Sequence, residues 1–283
     1  MPPPPRRPRL EEPTSLGGAL TPDFPLDPTT QAACWVGPRH LAGDDGRLYD
    51  VVADTLAGLG WTSLTIVRGR KEPDEEEHLQ TLRSTVLHIS PDGLRWAQWA
   101  LADQPFQLGE RPIAWQVSAR TDTRSPAATW SAYFTPDVPG EALADFLVAL
   151  DARDQPTTPT AGPELVLYAV TVHGWLRDAD QPDAGAADPT FTSHLSFSEV
   201  PPLIQDADLR LLTADADDVR PYGWQAWAEP VLGAPILWAA SFGSSVPHDL
   251  VAAFAHTLSS TAPVLRQVLP ESTRERLLRA PAG

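Results

Sequence analysis

Two stretches of the sequence follow one pattern, and this repeat limits the possible folds more than any other feature. They are WSAYFTPDVPGEALADFLVAL at 130–150 and WAASFGSSVPHDLVAAFAHTL at 238–258, and they match without a gap at eight of twenty-one positions. Chance composition gives roughly one or two matches. In each copy a Trp, an Ala and a Phe occupy alternate positions, as the inward-facing residues of a strand do, and a Pro and an acidic residue then open a helical pattern. The sequence therefore predicts a strand–turn–helix unit that occurs twice.

The repetition extends upstream, although less tightly. Gly60-Trp61 is echoed by Gly174-Trp175, and SPDGLRWAQWAL at 90–101 is echoed by DDVRPYGWQAWAE at 217–229. A helical pattern precedes Gly60-Trp61, whereas ELVLYAVTVHGW at 164–175 is β-branched enough to favour a strand instead. We therefore expect an α+β protein of two related domains, each an antiparallel β-sheet flanked by an N-terminal and a C-terminal helix.

Composition shifts along the chain set the predicted boundaries. The first 33 residues are rich in Pro and poor in apolar residues, which is typical of disordered segments; this segment is either a ligand for an aromatic groove or a solubilising tail, and we favour the tail. A polar stretch, DQPTTPTAGP, reads as a linker. The predicted segments are a disordered Pro-rich tail at 1–33, a first repeat at 34–153, a linker at 154–162, a second repeat at 163–263 and a partly helical C-terminal tail at 264–283.

Several motifs resemble those of a known family. VGPRHLAG at 36–43, the helix that ends in Gly60-Trp61, the SPDG sequence at 90–93 and the repeated element are similar to the actinobacterial family called domain of unknown function 317. The resemblance spans about 34–263 and implies two tandem copies, since members often carry two. The second copy departs from the pattern because it has no counterpart of VGPRHLAG. The resemblance implies no established catalytic activity, so it brings no catalytic residues with it.

Charge and composition exclude several classes of partner. The net charge is −16, and such a surface repels a phosphate backbone, so we expect no direct nucleic-acid binding. No apolar run approaches the length of a membrane span, and we expect no membrane contact. The lone cysteine, Cys34, excludes an internal disulfide and fits a reducing cytoplasm.

A search for catalytic or metal-binding patterns finds none. The seven His residues and the one Cys form no HExxH or Cys/His zinc spacing. Acidic triplets such as DAD at 178–180 lack the length and the distal Glu of an EF-hand, and SFGSSVP at 241–247 fails the nucleophile pattern G-x-S-x-G. We expect no metal, no cofactor and no catalytic residue; an enzymatic activity is unsupported by these patterns, though not excluded.

Two groups of residues remain as candidates for binding. Two Trp pairs at spacing three place neighbouring rings on opposite faces of a strand, and an exposed aromatic ring suits contact with a partner protein; burial of both rings is the alternative. The motif at 36–43 and its flank supply polar candidates, for which local structural hydrogen bonding is the alternative. The candidate binding residues are Trp96, Trp99, Trp224, Trp227, Arg39, His40 and Asp44.

The leading functional hypothesis is a cytoplasmic, non-catalytic interaction or scaffold module that binds a protein partner. One alternative is a small-molecule binder or enzyme with a pocket between the repeats, lined by Cys34, His40 and Asp44. The other is an acidic DNA mimic, although the carboxylates show no phosphate-like spacing.

Overall fold

The computed structural model describes residues 33–70, 81–99, 107–108, 111–160, 162–198 and 222–282. The predicted Pro-rich tail, apart from Ala33, and the acidic triplets after 205 lie outside these ranges. All described residues belong to one compact unit.

Helices and strands alternate in two similar series along the chain. The strands are β1 (Cys34–Gly37), β2 (Thr62–Arg70), β3 (Thr81–Ile89), β4 (Arg95–Trp99), β5 (Gln107–Leu108), β6 (Arg111–Pro112), β7 (Trp115–Ala119), β8 (Trp130–Phe134), β9 (Leu176–Arg177), β10 (Gly185–Ala187), β11 (Ser193–Ser198), β12 (Gly223–Ala228), β13 (Trp238–Phe242), β14 (Val264–Arg266) and β15 (Leu278–Pro281). The helices are α1 (Arg39–Ala42), α2 (Leu48–Gly58), α3 (Gly140–Asp151), α4 (Glu164–Thr171) and α5 (His248–Ser259).

The two repeats share a single antiparallel sheet of ten strands. Its order is β2-β3-β4-β7-β8-β13-β12-β11-β10-β9, so each repeat contributes five strands and the last strand of each lies at the centre. There Tyr133 of β8 lies opposite Ser241 of β13, and these two positions are also equivalent in the aligned repeats. An approximate two-fold axis therefore passes between them, perpendicular to the sheet.

One layer of helices covers one face of this sheet. α2, α3, α5 and α4 pack side by side in that order, which follows the same two-fold arrangement. The Phe residues of the repeated element meet between sheet and helices at the centre: the ring centroids of Phe134 and Phe242 lie 5.5 Å apart, and those of Phe146 and Phe242 lie 5.6 Å apart. Phe254 completes the cluster, and all four side chains are fully buried. The repeated element is thus what joins the two halves.

This arrangement confirms the α+β prediction, and each repeat contributes five antiparallel strands and two flanking helices. The two repeats are halves of one sheet, so the structure does not show two separate domains. The predicted segment boundaries stay a prediction. The segment that favoured a strand at the start of the second repeat is instead the helix α4. Its buried residues Val166, Leu167 and Val170 follow a helical period, and packing against α5 overrides the weak β-preference.

The structure also corrects the upstream alignment of the repeats. The sequence pairs β12 with β4, because each carries two Trp residues three apart. β12 in fact occupies the position of β7: Trp224 lies opposite Phe242 as Trp115 lies opposite Phe134. The shared Trp spacing is a coincidence on strands that are not equivalent.

The SPDG turn at 90–93 has its counterpart in the second repeat at 188–191, DPTF. The amide of Gly93 donates to the Ser90 carbonyl and that of Phe191 donates to the Asp188 carbonyl, both over 2.9 Å. Pro is the second residue of both turns, as type I turns favour. The fourth residue has positive φ in both, 69° at Gly93 and 54° at Phe191.

The C-terminal segment, predicted to be a partly helical tail, contributes two strands to a small second sheet. β14 and β15 flank β1 in the order β14-β1-β15, and both pairs are antiparallel. Within its described residues the helical part is the single 3-10 turn Glu271–Thr273, which follows Pro270. β14 and β15 each form hydrogen bonds with one edge of β1. These hydrogen bonds stabilise the two segments as strands, although the local sequence pattern suggested a helix.

Candidate functional site

The face of the ten-stranded sheet opposite the helices carries a continuous row of amide and hydroxyl side chains. We call it the open face, because the helix layer α2–α5 packs on the other side. Its central row crosses six strands in register and consists of Gln98, Gln116, Tyr133, Ser241, Gln225 and Ser196. All but Ser241 are partly exposed. The row contains no ionised side chain.

The row follows the two-fold arrangement of the sheet. Gln116 and Gln225 are equivalent positions, and the Gln225 amide donates to the Ser241 hydroxyl over 2.8 Å. Sequence reasoning missed these residues, although the polar positions that alternate with the buried Trp115 and Phe134 already indicate a face outside the core.

The four candidate Trp residues divide between the two faces, as their spacing of three predicts. Trp99 and Trp224 face the helices: the Trp99 ring lies 5.2 Å from that of Trp115, and Trp224 is 1% exposed and donates from Nε1 to Nδ1 of His248 over 2.9 Å. Trp96 and Trp227 lie on the open face and are partly exposed. The structure therefore brings two of the four to one surface.

The two open-face Trp residues lie on opposite sides of the central row, each beside a charged group. The Arg120 guanidinium lies over the Trp96 ring, 5.7 Å from its centroid. Trp227 stacks on His194 at 5.1 Å and donates from Nε1 to the Glu229 carboxylate over 3.0 Å. We call these pairs the Trp96 corner (Trp96 and Arg120) and the Trp227 corner (Trp227 and Glu229). One corner carries a cation and the other an anion.

The candidates Arg39, His40 and Asp44 hold the N-terminal motif in place. The Arg39 guanidinium donates to the Thr257 carbonyl of α5 over 2.7 Å. The Asp44 carboxylate accepts from the Leu48 amide at the start of α2 over 2.9 Å, and burial raises its pKa. These two contacts are structural, and the binding role of the motif stays a prediction.

His40 is buried against Trp175, with ring centroids 5.6 Å apart, and its Nε2 has no hydrogen-bond partner. Burial lowers its pKa to about 4, which outweighs the opposing effect of Asp188, whose carboxylate lies 3.8 Å from Nε2; Arg276 lowers the pKa further. The imidazole is therefore neutral in the folded protein.

This neutral His40 makes the protein less stable in weak acid. Between pH 7 and pH 5 the unfolded state takes up a proton near pH 6.5 while the folded state does not, so His40 alone lowers the free energy of unfolding by about 2 kcal/mol. Urea unfolding at both pH values measures this loss. In His40→Asn the loss should shrink by that amount, whereas other buried His residues act equally in both proteins; an unchanged loss would contradict the assignment.

A cavity of about 390 Å³ lies beside the N-terminal motif. Asp44 and Asp45 contribute carboxylates to its lining, Trp238 contributes an apolar wall, and Arg111 forms an ion pair there with Asp137. Asp137 belongs to the first repeat and Trp238 to the second, so the cavity lies between the repeats. Cys34 and His40 are not among its lining residues; the Cys34 thiol faces the Arg266 carbonyl.

The described residues hold no cluster of three His, Cys, Asp or Glu side chains that could bind a metal ion. Two imidazoles, those of His173 and His256, lie with their ring centroids 4.4 Å apart. His173 is held by the Ser259 hydroxyl at 2.9 Å, which gives the pair a structural explanation.

Comparison with known families finds one match. Segments 89–157 and 205–264 match the family model described as SPDY, a domain of unknown function (DUF317), which confirms the resemblance for the SPDG turn and the repeated element; the motif at 36–43 and Gly60-Trp61 lie outside the matched segments. These segments contain the four central strands and both closing helices. No curated protein and no solved structure matches the chain. Across the described ranges, the helices are too short or too polar to cross a membrane.

Proposed function

Because this chain is a tandem-repeat protein that resembles the family of domain of unknown function 317, we propose that it is a non-catalytic interaction module of the cytoplasm. The open face is its docking surface for a protein partner. The observation that carries the proposal is the surface itself: an uncharged row of amides and hydroxyls with a partly exposed Trp on either side.

The chemistry of the open face suits protein contact. Trp rings supply a large contact area at low cost in conformational entropy, and Ser, Tyr and amide side chains supply adaptable hydrogen bonds. The six residues of the row lie on strands that pair with neighbours on both sides, so their backbone is held rigidly and binding costs little ordering. The neutral row offers no support to the DNA-mimic alternative.

The test is affinity capture from lysate of the native host with the tagged full chain. The double variant Trp96→Ala/Trp227→Ala removes both open-face rings. Tyr168→Ala is the matched control, since this exposed ring lies on α4 in the helix layer. We expect a specific partner to be retained by the control and lost by the double variant, with every variant still showing a cooperative thermal unfolding transition.

Truncation of residues 1–33 completes the experiment. A partner that survives truncation but not the double Trp variant supports the open face. A partner that is lost on truncation, or retained by the double variant, contradicts it.

The cavity favours a second candidate, a small-molecule binder. Its carboxylates and the Trp238 wall suit a ligand with a cationic group and an apolar body. Native mass spectrometry of the purified protein tests this candidate, and Trp238 is unsuited to substitution because it is fully buried. A bound organic cation that is lost in Asp45→Asn supports it, whereas the bare chain mass contradicts it.

A further inference from the structure

We infer that the partner of the open face is a second copy of this chain, in a face-to-face dimer. The inference rests on the proposed interaction function and names its partner. In this dimer the Trp96 corner of one copy lies against the Trp227 corner of the other.

The first argument is charge. The chain carries a net charge of −16, so two copies repel each other wherever their acidic surfaces approach. The open face is suited to bring them together, since its central row is uncharged. A basic partner would gain from carboxylates at the contact, and the row offers none.

The second argument is self-complementarity. The two-fold axis of such a dimer lies in the plane of the interface. For any two points on a flat face, the axis can be placed so that each point on one copy meets the other point on the second copy. The same pair of residues then makes contact twice. When the two corners exchange, Arg120 of each copy faces Glu229 of the other. Arg120 is already aligned by the Gly93 carbonyl, which accepts from its Nε and Nη2 at 3.0 and 2.8 Å. Glu229 is aligned by Trp227.

The third argument is area. The six central strands, about 4.8 Å apart and five residues long, span about 500 Å² of sheet per copy, or about 1,000 Å² for two copies; Ser118 and Ser241 are already buried within this area, so the partly exposed Gln and Trp side chains make the contact. A sheet of this extent is near the lower limit of size for a specific interface. The amide side chains of the row carry both donors and acceptors, so the same row on a second copy can satisfy them.

Charge reversal of the full chain tests the dimer. Arg120→Glu places two carboxylates opposite each other at both corners, and Glu229→Arg places two guanidinium groups there. We expect each single variant to raise the dimer dissociation constant by about tenfold or more, measured by sedimentation equilibrium. The double variant Arg120→Glu/Glu229→Arg restores opposite charges and should recover most of the affinity.

Arg47→Glu is the matched control, because this exposed Arg precedes α2 in the helix layer. Circular dichroism and thermal unfolding confirm that each variant is folded. The proposal is supported if the wild type and the control dimerise, the single variants dissociate and the double variant recovers.

Other outcomes overturn it. If the dimer survives both single variants, its interface lies elsewhere. If the double variant dimerises as weakly as the single variants, Arg120 and Glu229 do not contact each other in the dimer. If the wild type stays monomeric while capture of a lysate partner depends on Trp96 and Trp227, the partner is not a second copy of this chain. The proposed interaction function would still hold in that case.

Discussion

Replacing Phe242 with Ala should lower the free energy of unfolding by about 4 kcal/mol. The side chain is fully buried and contacts Phe134, Phe146 and Phe254 with ring centroids 5.2–5.6 Å apart. The cavity left behind lies where the two halves of the ten-stranded sheet and both closing helices meet, so neighbouring groups cannot close it without moving both repeats. Urea unfolding followed by far-UV circular dichroism measures the loss.

The same substitution tests whether the repeats fold together. Because the Phe cluster belongs to both halves, we expect circular dichroism and Trp fluorescence to report one coincident transition in Phe242→Ala as in the wild type. Phe191→Ala is the control, since this Phe is 51% exposed and its loss should cost less than about 1 kcal/mol. Two separate transitions in Phe242→Ala would show that the halves unfold independently.

Replacing Arg266 with Met should cost about 3 kcal/mol. Arg266 joins the small sheet to α3: its Nη1 and Nη2 donate to the two carboxylate oxygens of Glu141 at 2.6 and 2.8 Å, and its Nε donates to the Gly43 carbonyl at 2.9 Å. The Arg266 side chain is 5% exposed and that of Glu141 is 37% exposed. Loss of the cation leaves the Glu141 carboxylate without this ion-pair partner. Breaking a buried ion pair costs about 3–5 kcal/mol. Because Glu141 is partly exposed, we expect the cost for this pair to be at the lower end of that range.

Chemical unfolding of Arg266→Met measures this cost, and the double variant Arg266→Met/Glu141→Gln isolates its cause. We expect the double variant to regain part of the lost stability, because the unpaired charge is gone. Arg177→Met is the control, since Arg177 pairs with Glu164 at the surface and its loss should change stability little. Equal costs for Arg266 and Arg177 would contradict the role assigned to the buried pair.

Local patterns were sufficient to predict the repeated element. Alternation of Trp130 and Phe134 marked the strand, and the apolar period through Phe146 marked the helix that follows it. Spacing of three likewise predicted that Trp96 and Trp99 face opposite sides. These features depend on backbone geometry within a few residues, which a single sequence encodes directly.

The joining of the repeats could not be predicted in the same way. Nothing in the local pattern of β8 states that its free edge pairs with β13, because antiparallel pairing depends on which surfaces remain uncovered after each half forms. The equivalence of Trp224 with Trp115 was hidden by the matching Trp spacing of β4 and β12, which drew the alignment to the wrong strand. The turn at Asp188 was hidden because only its Pro is shared with the turn at Ser90.

The candidate site was predicted in part for the same reasons. Trp96 and Trp227 were named from spacing, whereas the row through Gln116 and Gln225 becomes visible only when both repeats are placed in one sheet. Each Gln alone is an ordinary polar residue on an outer face. The binding role of these residues stays a prediction.

Hydroxyl-radical footprinting of the Trp side chains tests the docking role of the open face most directly. The full chain is oxidised below and above the concentration at which it associates, and again in complex with any captured partner. If the open face is the docking surface, oxidation of Trp96 and Trp227 falls in the associated state while Trp35, 44% exposed on the small sheet, keeps its reactivity. Protection of Trp35 with no change at Trp96 and Trp227 would contradict the account and place the interface on the small sheet.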